Sequence, residues 1–578
     1  MGIPSYFAHV LKKYPHVIKR LSELPCINNL YLDCNGMIYD VVRQMQFSPD
    51  KQSEYEAELL QRICDSIDAC IEILRPTSSV FIAFDGVAPV AKLNQQRERR
   101  YKSWYLGVME TQRRRDMTTQ NQKNGMKKTG HVEPPKPAWN TSAITPGTKF
   151  MNMLHSKLAE HFDASDPAAL NARYNLSGGP GIIVSSSKEP GEGEHKLFEY
   201  IRQHAAQHAA ATTVIYGLDA DLIMLCMSHL HVSRGIYLYR ETPEFVRSIN
   251  VALDEKERYY MDIPEFADAI VEQLTRGEPM VRRPPPFKGA APLCKVMDYI
   301  FICFMLGNDF MPHFPALNIR TTGIATLLEA YRATIAPDET ITIAHPDGSS
   351  HGIHWPTYKK LIAALATQEL TLVRKEHATR DRQARHMRDT DKEDDVMHDV
   401  MMLPITQREV ERSIDPFNAG WEQRYYATLC DIPMNGKNNA HEIAALCRNY
   451  LEGMEWTFQY YTHGCVDWKW TYANHYPPLL SDLVQHIPDD ATLSFLHVAP
   501  KDPIRDVVQL CYVLPKSSHP LLPPAVARGL MRSKLASKYT DDGSHDFKWA
   551  YCKYFWECHT NLPALNLAEL DEIVKKMD

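Results

Sequence analysis

The sequence has no C-x-x-C pair among its 13 cysteines, and their odd number leaves one without a mate. That argues against a zinc knuckle and against a disulfide framework, and leaves the thiols as scattered core residues. No apolar run reaches the roughly 20 residues that a membrane-spanning helix needs. The start, MGIPSYFAHVLKKYPHVIKR, lacks a secretory h-region, and Tyr6 stands where an N-myristoylation motif wants Ser or Thr. There is no internal repeat. Nor is there an excess of basic charge: 64 Lys+Arg against 71 Asp+Glu leave a net charge of −7, unusual for a nucleic-acid binder. The expectation is an intracellular monomer without membrane attachment, cytoplasmic with nuclear residence as the alternative. The 578 residues are too many for one ordinary core and suit two or more packed units.

What the chain does have is acids at the ends of apolar runs. NNLYLD closes on Asp33, VFIAFDG on Asp85, and TTVIYGLDAD on Asp219 and Asp221. PGEGEHK places Glu192 and Glu194 around one glycine, and FICFMLGND delivers Asp309 after a longer apolar stretch. Residues 29–33, 80–85, 181–186 and 212–218 read as short buried strands separated by helical stretches, which predicts an α/β fold with a parallel-rich sheet flanked by helices. In such sheets ligands collect beyond the carboxyl ends of the strands. An Asp after a strand is often only a cap or turn residue. Five segments supplying acids at comparable places, with D-A-D and E-G-E repeating an i, i+2 pairing, tilt the reading towards convergence. Converging carboxylates repel and raise one another's pKa unless a hard divalent cation relieves them, and oxygen-only ligation suits Mg²⁺, or Mn²⁺ in its place, better than zinc.

A basic constellation follows Asp85 in GVAPVAKLNQQRERRYKSW. Pro89 suits the first turn of a helix, and from there Lys92, Gln96, Arg99 and Arg100 fall on one face. Such a row is either a solvated helix face or a cradle for a phosphate. Its adjacency to Asp85 favours the cradle. Other basic stretches that could attract an acidic polymer are Arg97 to Lys102, Arg113 to Arg115, Lys123 to Lys128 and Arg282 to Arg283.

These motifs together resemble the XRN-type 5′→3′ exoribonucleases. The resemblance rests on MGIPSYF, LYLDCNGMIY, FDGVAPVAKLNQQRERR, ITPGTKFM, PGEGEHK, YGLDADLIML and LGNDFMPHFP in that order, then YYTHGCVDWKWTYANHYPPLLSDL and VLPKSSHPLLPPAVARGLM. Both halves of the family's catalytic core are represented. The resemblance implies a PIN/flap-nuclease-like core with a mainly helical second region, and hydrolysis of 5′-monophosphorylated single-stranded RNA to nucleoside 5′-monophosphates with two metal ions. It matches Asp33, Asp85, Glu192, Glu194, Asp219, Asp221 and Asp309 to the metal site, and Lys92, Gln96, Arg99 and Arg100 to the 5′-phosphate pocket. Tyr39 stands where the family has a histidine that stacks the first base against a tryptophan, here Trp468 or Trp470. Tyrosine keeps the stacking face and loses any protonation there. Val90 replaces an arginine common in the family. Asn35 and Asn308, beside metal-matched positions, are candidates for orienting ligands or contacting phosphate.

Composition divides the chain into a first region at 1–345 with a polar insert at 105–140, a charged helical linker at 346–414, and an aromatic-rich second region at 415–578 that packs back on the first. The stretch 374–399 reads as a solvated helix or flexible linker. The chain has at most a short helical tail, LNLAELDEIVKKM, and so looks like a minimal catalytic version of the family. Two other functions compete: a flap-type, structure-specific DNA nuclease, and a non-catalytic RNA-binding scaffold.

Overall fold

The apolar runs preceding the acids form the middle of one sheet. In the computed structural model the residues described are 5–24, 26–123, 138–240, 253–254, 257–276, 290–344, 351–390, 396–433, 438–496, 502–539 and 546–577. The strands are β1 (Ile18–Arg20), β2 (Asn29–Asp33), β3 (Ser79–Ala83), β4 (Gly181–Ser185), β5 (Thr212–Tyr216), β6 (Gly235–Tyr239) and β7 (Tyr259–Asp262). Their order is β1-β7-β6-β5-β2-β3-β4. β6, β5, β2, β3 and β4 run parallel, with β7 antiparallel to β6 and to β1. The order reverses at β2: the chain proceeds to β3 and β4 on one side and to β5 and β6 on the other. That is the switch point at which parallel sheets bind ligands, and Asp33 ends the strand that forms it.

The strands lack polar alternation because both faces are covered. Leu30, Leu32, Val80, Ile82, Val214 and Tyr216 pack on one face with Ile38, Leu59, Ile63 and Leu154 of the flanking helices. Tyr31, Phe81, Ala83 and Ile215 face the other way, into a larger core. That core runs without a break into the helical second half, where it holds Trp355, Tyr358, Leu361, Tyr450 and Trp456. A third cluster joins Ala88 and Leu93, at the start of the helix Val90–Lys123, to Leu510, Val526, Leu530, Leu570 and Val574. The tail helix Leu567–Met577 therefore packs into the fold.

Three expectations need revision. The stretch 374–399 is helical through Thr390 as part of Trp355–Thr390. It is not simply solvated: His377, Arg380 and Ala384 are buried, and Arg380 Nε donates to both oxygens of the buried Glu411 at 3.0 and 2.9 Å. Charge density hid this because the partner carboxylate lies 31 residues away. Residues 391–395 are outside those described. The insert 105–140 is helix up to Lys123, continuing the Val90 helix, and 124–137 fall outside the described residues. The third revision concerns the basic stretch Arg97 to Lys102. Arg97 Nη2 donates to the Pro563 carbonyl at 2.9 Å, and the buried Lys102 donates to the carbonyls of Trp556 and Cys558 at 3.0 and 2.6 Å. These cations hold the C-terminal segment rather than an external polymer. Of the other basic stretches, residues 124–128 and 282–283 and the side chains of Arg113 and Arg114 are not described.

None of the 13 cysteines is in a disulfide, and most are buried. Among the described residues no helix is long and apolar enough to cross a membrane.

Candidate active site

Four of the acids sit on or next to helix N-termini. Glu192 occupies the N-cap of the helix Gly193–Gln203 and Glu194 its first turn, while Asp221 opens the helix Asp221–Ser228 two residues beyond Asp219. Neither Glu192 nor Ala220, the cap of the second helix, makes a side-chain capping bond. The two helices thus present their positive ends towards carboxylates that are not engaged as caps. Gly193 is required between the two glutamates: a Cβ there would lie 2.7 Å from Asp33 Oδ1. Gly86 is required after Asp85, since a Cβ would come within 1.7 Å of the Glu189 carbonyl oxygen.

Asp85 is held by its neighbours. Its Oδ1 accepts from the Gly193 amide at 2.7 Å, its Oδ2 accepts from Asn35 Nδ2, and its own amide donates to Asn35 Oδ1 at 3.0 Å. Asn35 is therefore an orienting residue for Asp85. Asn308 plays the turn-forming part: its Oδ1 accepts from the amides of Phe310 and Met311, each at 2.9 Å, which fixes the loop carrying Asp309.

Other oxygens are buried and have nothing to bond. Among the described residues, Asp33 Oδ1, Glu194 Oε2 and Asp221 Oδ1 have no hydrogen-bond partner. Buried unsatisfied carboxylate oxygens are costly, and the electrostatics follow. Burial, with Asp85 and Asp219 beside it, pushes Asp33 well above the carboxylate range. Burial and then Asp221 do the same to Glu194, burial and then Glu192 raise Asp85, and burial followed by Asp309 pushes Asp221 up to about 7. Asp309 goes the other way: burial would raise it, but the Lys92 ammonium outweighs this and holds it below its ordinary value. A set of oxygen donors that repel one another and lack partners fits a divalent cation.

Lys92 links the acids to the basic helix. Its Nζ lies 2.5 Å from Glu192 Oε2 and 2.7 Å from Asp309 Oδ2. Burial alone would lower its pKa, but Asp309 and Glu192 raise it, so the ammonium stays charged. Two turns on, Arg100 Nη2 donates to Thr145 Oγ1 at 2.7 Å, while its buried Nη1 and the buried Oε1 of Gln96 have no partner among the described residues. Burial and then Arg99 lower Arg100 to about 10. Arg99 is exposed and lines a cavity of about 640 Å³ with Gln95, Asp309, Phe310 and Tyr512.

The two tryptophans part company. Trp470 is buried, its ring stacked on Trp456 at 4.9 Å and 22° within the main core. Trp468 is half-buried, and its carbonyl accepts from the Val90 amide at 2.9 Å, which places it at the start of the basic helix. Tyr39 is half-buried on the helix Asn35–Gln44, near Arg100.

Three further residues belong to the site. Tyr460, from the helix Asn439–Thr462, donates its hydroxyl to Glu192 Oε1 at 2.8 Å. His195 stacks on Tyr460 at 3.7 Å and groups with Glu192 and Glu194, one donor atom from each within 4.8 Å of the others. Burial and then Lys92 hold His195 neutral. Gln95 Nε2 donates to Asp309 Oδ1 at 3.2 Å. His195 and Tyr460 lie inside the quoted PGEGEHK and YYTHG motifs, but nothing in spacing marks which member reaches the acids. Gln95 stands three residues after Lys92 and four before Arg99, so it shares their face, and the same spacing could have found it.

Family descriptions accord with this geometry. That of the XRN 5′–3′ exonuclease N-terminus matches residues 1–242, which contain six of the seven acids and the basic helix. That of the Xrn1 helical domain matches 294–416 and 406–578. The chain belongs to the XRN family. Curated relatives named 5′–3′ exoribonuclease 2 include those of Gallus gallus, 26% identical over 97% of this chain and 68% of the relative, and Arabidopsis thaliana, 25% identical over 100% and 67%. A third, from Kluyveromyces lactis, is 30% identical over 65% of this chain and 40% of its own length. The XRN match thus covers the sheet with its acids and the helical half that contributes Asp309 and Tyr460.

Proposed function

We infer that this XRN protein is a metal-dependent 5′→3′ exoribonuclease that removes nucleoside 5′-monophosphates one at a time from single-stranded RNA beginning with a 5′-monophosphate. The observation that carries the reading is the set of partnerless oxygens on Asp33, Glu194 and Asp221, one Lys92 side chain away from the basic helix. Asp33, Asp85, Glu192, Glu194, Asp219, Asp221 and Asp309 are the candidate ligands, and Mg²⁺, with Mn²⁺ as a substitute, is the ion their all-oxygen chemistry favours. Two bound ions would supply Lewis-acid stabilisation of the phosphoryl oxygens and a water nucleophile at neutral pH.

The remaining roles belong to the chain. Asn35 and the Gly193 amide fix Asp85, and the Tyr460 hydroxyl fixes Glu192. Lys92 keeps Asp309 ionised, pairs with Glu192, and sets a positive charge between the acids and the incoming phosphate. Arg99, Arg100 and Gln96 would receive the terminal phosphate, with the partnerless Arg100 Nη1 as a free donor. Tyr39 and Trp468 would flank the first base, and the core position of Trp470 argues against its taking that part. The 5′→3′ direction rests on the family.

The test is digestion of end-labelled RNA carrying a monophosphate, triphosphate, cap or hydroxyl, with products resolved by size. Mononucleotides released from the monophosphorylated end, and abolished by chelator, are expected. Internal cuts, or equal attack on all four ends, would contradict the reading, and equal cleavage of DNA of the same sequence would favour a flap-type nuclease.

A further inference from the structure

On the cavity wall away from the acids stand two histidines and a glutamate with no part in the chemistry above. We propose that Glu98, His475 and His559 form a second metal site, for a zinc-class divalent ion, that clamps the basic helix to the C-terminal segment. One donor atom from each of the three lies within 4.8 Å of the others, and all three side chains line the cavity. They come from separate parts of the chain: the Val90–Lys123 helix, the loop after Trp470, and the short strand His559–Thr560.

The hydrogen bonding around His475 is that of a metal-bound imidazole. Its Nε2 is 3.2 Å from Asn561 Oδ1, an oxygen that can only accept, so Nε2 donates there and Nδ1 is the nitrogen turned to Glu98. Ligating histidines are characteristically oriented by such a bond from the other nitrogen. Nδ1 lies 3.7 Å from Glu98 Oε1, too far for a direct hydrogen bond. It is close to the edge of about 3.3 Å of a tetrahedron with metal–ligand bonds of about 2.0 Å. His559 stacks beside His475 at 4.9 Å and 23°.

Lys102 places a positive charge nearby, but its ammonium is turned to the carbonyls of Trp556 and Cys558, and the Glu98 carboxylate offsets it. Two nitrogens and one carboxylate, with cavity space for a water as fourth ligand, suit Zn²⁺ and are poor for Mg²⁺. The competing account is an ion pair between Glu98 and a protonated His475.

The intact protein, stripped with chelator and returned to excess Mg²⁺ to fill the all-oxygen centre, is titrated with Co²⁺ and then Zn²⁺. One equivalent of Co²⁺ should give a visible d–d absorption that one equivalent of Zn²⁺ bleaches, and Zn²⁺ should raise the thermal midpoint. Glu98→Gln, His475→Gln and His559→Gln should each abolish the band or weaken zinc binding at least ~10-fold, since even residues that only orient a ligand cost about 10–100-fold. No band in the wild type, or a band and affinity unchanged in Glu98→Gln, would overturn the site. Should His559→Gln fail to fold, Glu98→Gln, at a partly exposed position, decides the matter.

Discussion

At the sheet's carboxyl edge, carboxylates from separate segments are buried with oxygens that nothing among the described residues satisfies, those of Asp33, Glu194 and Asp221. Along the basic helix beside them, most of the charge is already matched: Lys92 by Glu192 and Asp309, Arg97 and Lys102 by main-chain carbonyls, Arg100 in part by Thr145. The acids carry a desolvation cost that no described residue relieves. The helix, by contrast, is mostly satisfied from within between Lys92 and Lys102, and the spare donors of that stretch are those of Arg99 and Arg100. One region is built to take up cations, and the other is a structural beam with a small anion receptor at one end.

Substitutions should separate the two regions, beginning with the acids. Asp221→Asn should lower mononucleotide release by on the order of 10³-fold or more, because several kcal/mol of metal-derived stabilisation is lost. RNA binding should persist, and the metal-free protein should melt higher than the wild type, since a repelled buried charge has gone. A lower melting point would show that the acids are satisfied by the chain after all.

Lys92→Met should act in the opposite sense on stability. It strands two buried carboxylates, and removing one member of a buried pair costs about 3–5 kcal/mol. Denaturant unfolding without metal should show that loss, with part of it restored by Mg²⁺. If Lys92→Met and Asp221→Asn shift stability in the same direction, the contrast drawn here fails.

Smaller still is the effect expected of Arg99→Ala with Arg100→Ala. Two charge-assisted contacts of about 1.5–3 kcal/mol each would go, and the preference for monophosphate over hydroxyl ends should fall by roughly 10²-fold or more. Melting should change little. A preserved end preference would place the phosphate receptor elsewhere.

The mildest expectation concerns pH. Asp221 has a folded pKa of about 7, above the unfolded value of about 3.9. A raised pKa contributes stability that is complete below the unfolded value and lost as pH rises through the folded one. The metal-free protein should therefore lose stability between about pH 4 and 7. Mg²⁺ should raise the thermal midpoint more at pH 8 than at pH 5, and Asp221→Asn should shrink that difference.

How far the sequence could be read follows from the same contrast. The acids were legible because β2, β3 and β5 are short, doubly buried runs that end where parallel strands must deliver ligands, and because Gly193 stands between two glutamates at a place where no side chain fits. Strand ends were placed two residues late at Asp85 and beyond Tyr216, a small error since chain leaving a strand stays extended. The helix was legible only in periodicity. Spacing shows which cations share a face but not which are neutralised from afar, so Arg97 and Lys102 looked free while residues 556–563 were their partners. Tyr460 reaches Glu192 across 268 positions, a contact that no local pattern encodes. The motif left Trp468 and Trp470 as alternatives, and what draws Trp470 into the core is Trp456, a turn of helix away from any motif.

The most direct check is crystallographic. Crystals of the catalytically inert Asp221→Asn protein and of the wild type, soaked in Mn²⁺ and measured at the manganese absorption edge, should differ at one place. The wild type should show anomalous density among Asp33, Glu194 and Asp221, within coordination distance of their partnerless oxygens, and the variant should lose part or all of it. Wild-type crystals in which manganese binds only elsewhere, or in which those three carboxylates point apart, would contradict the account.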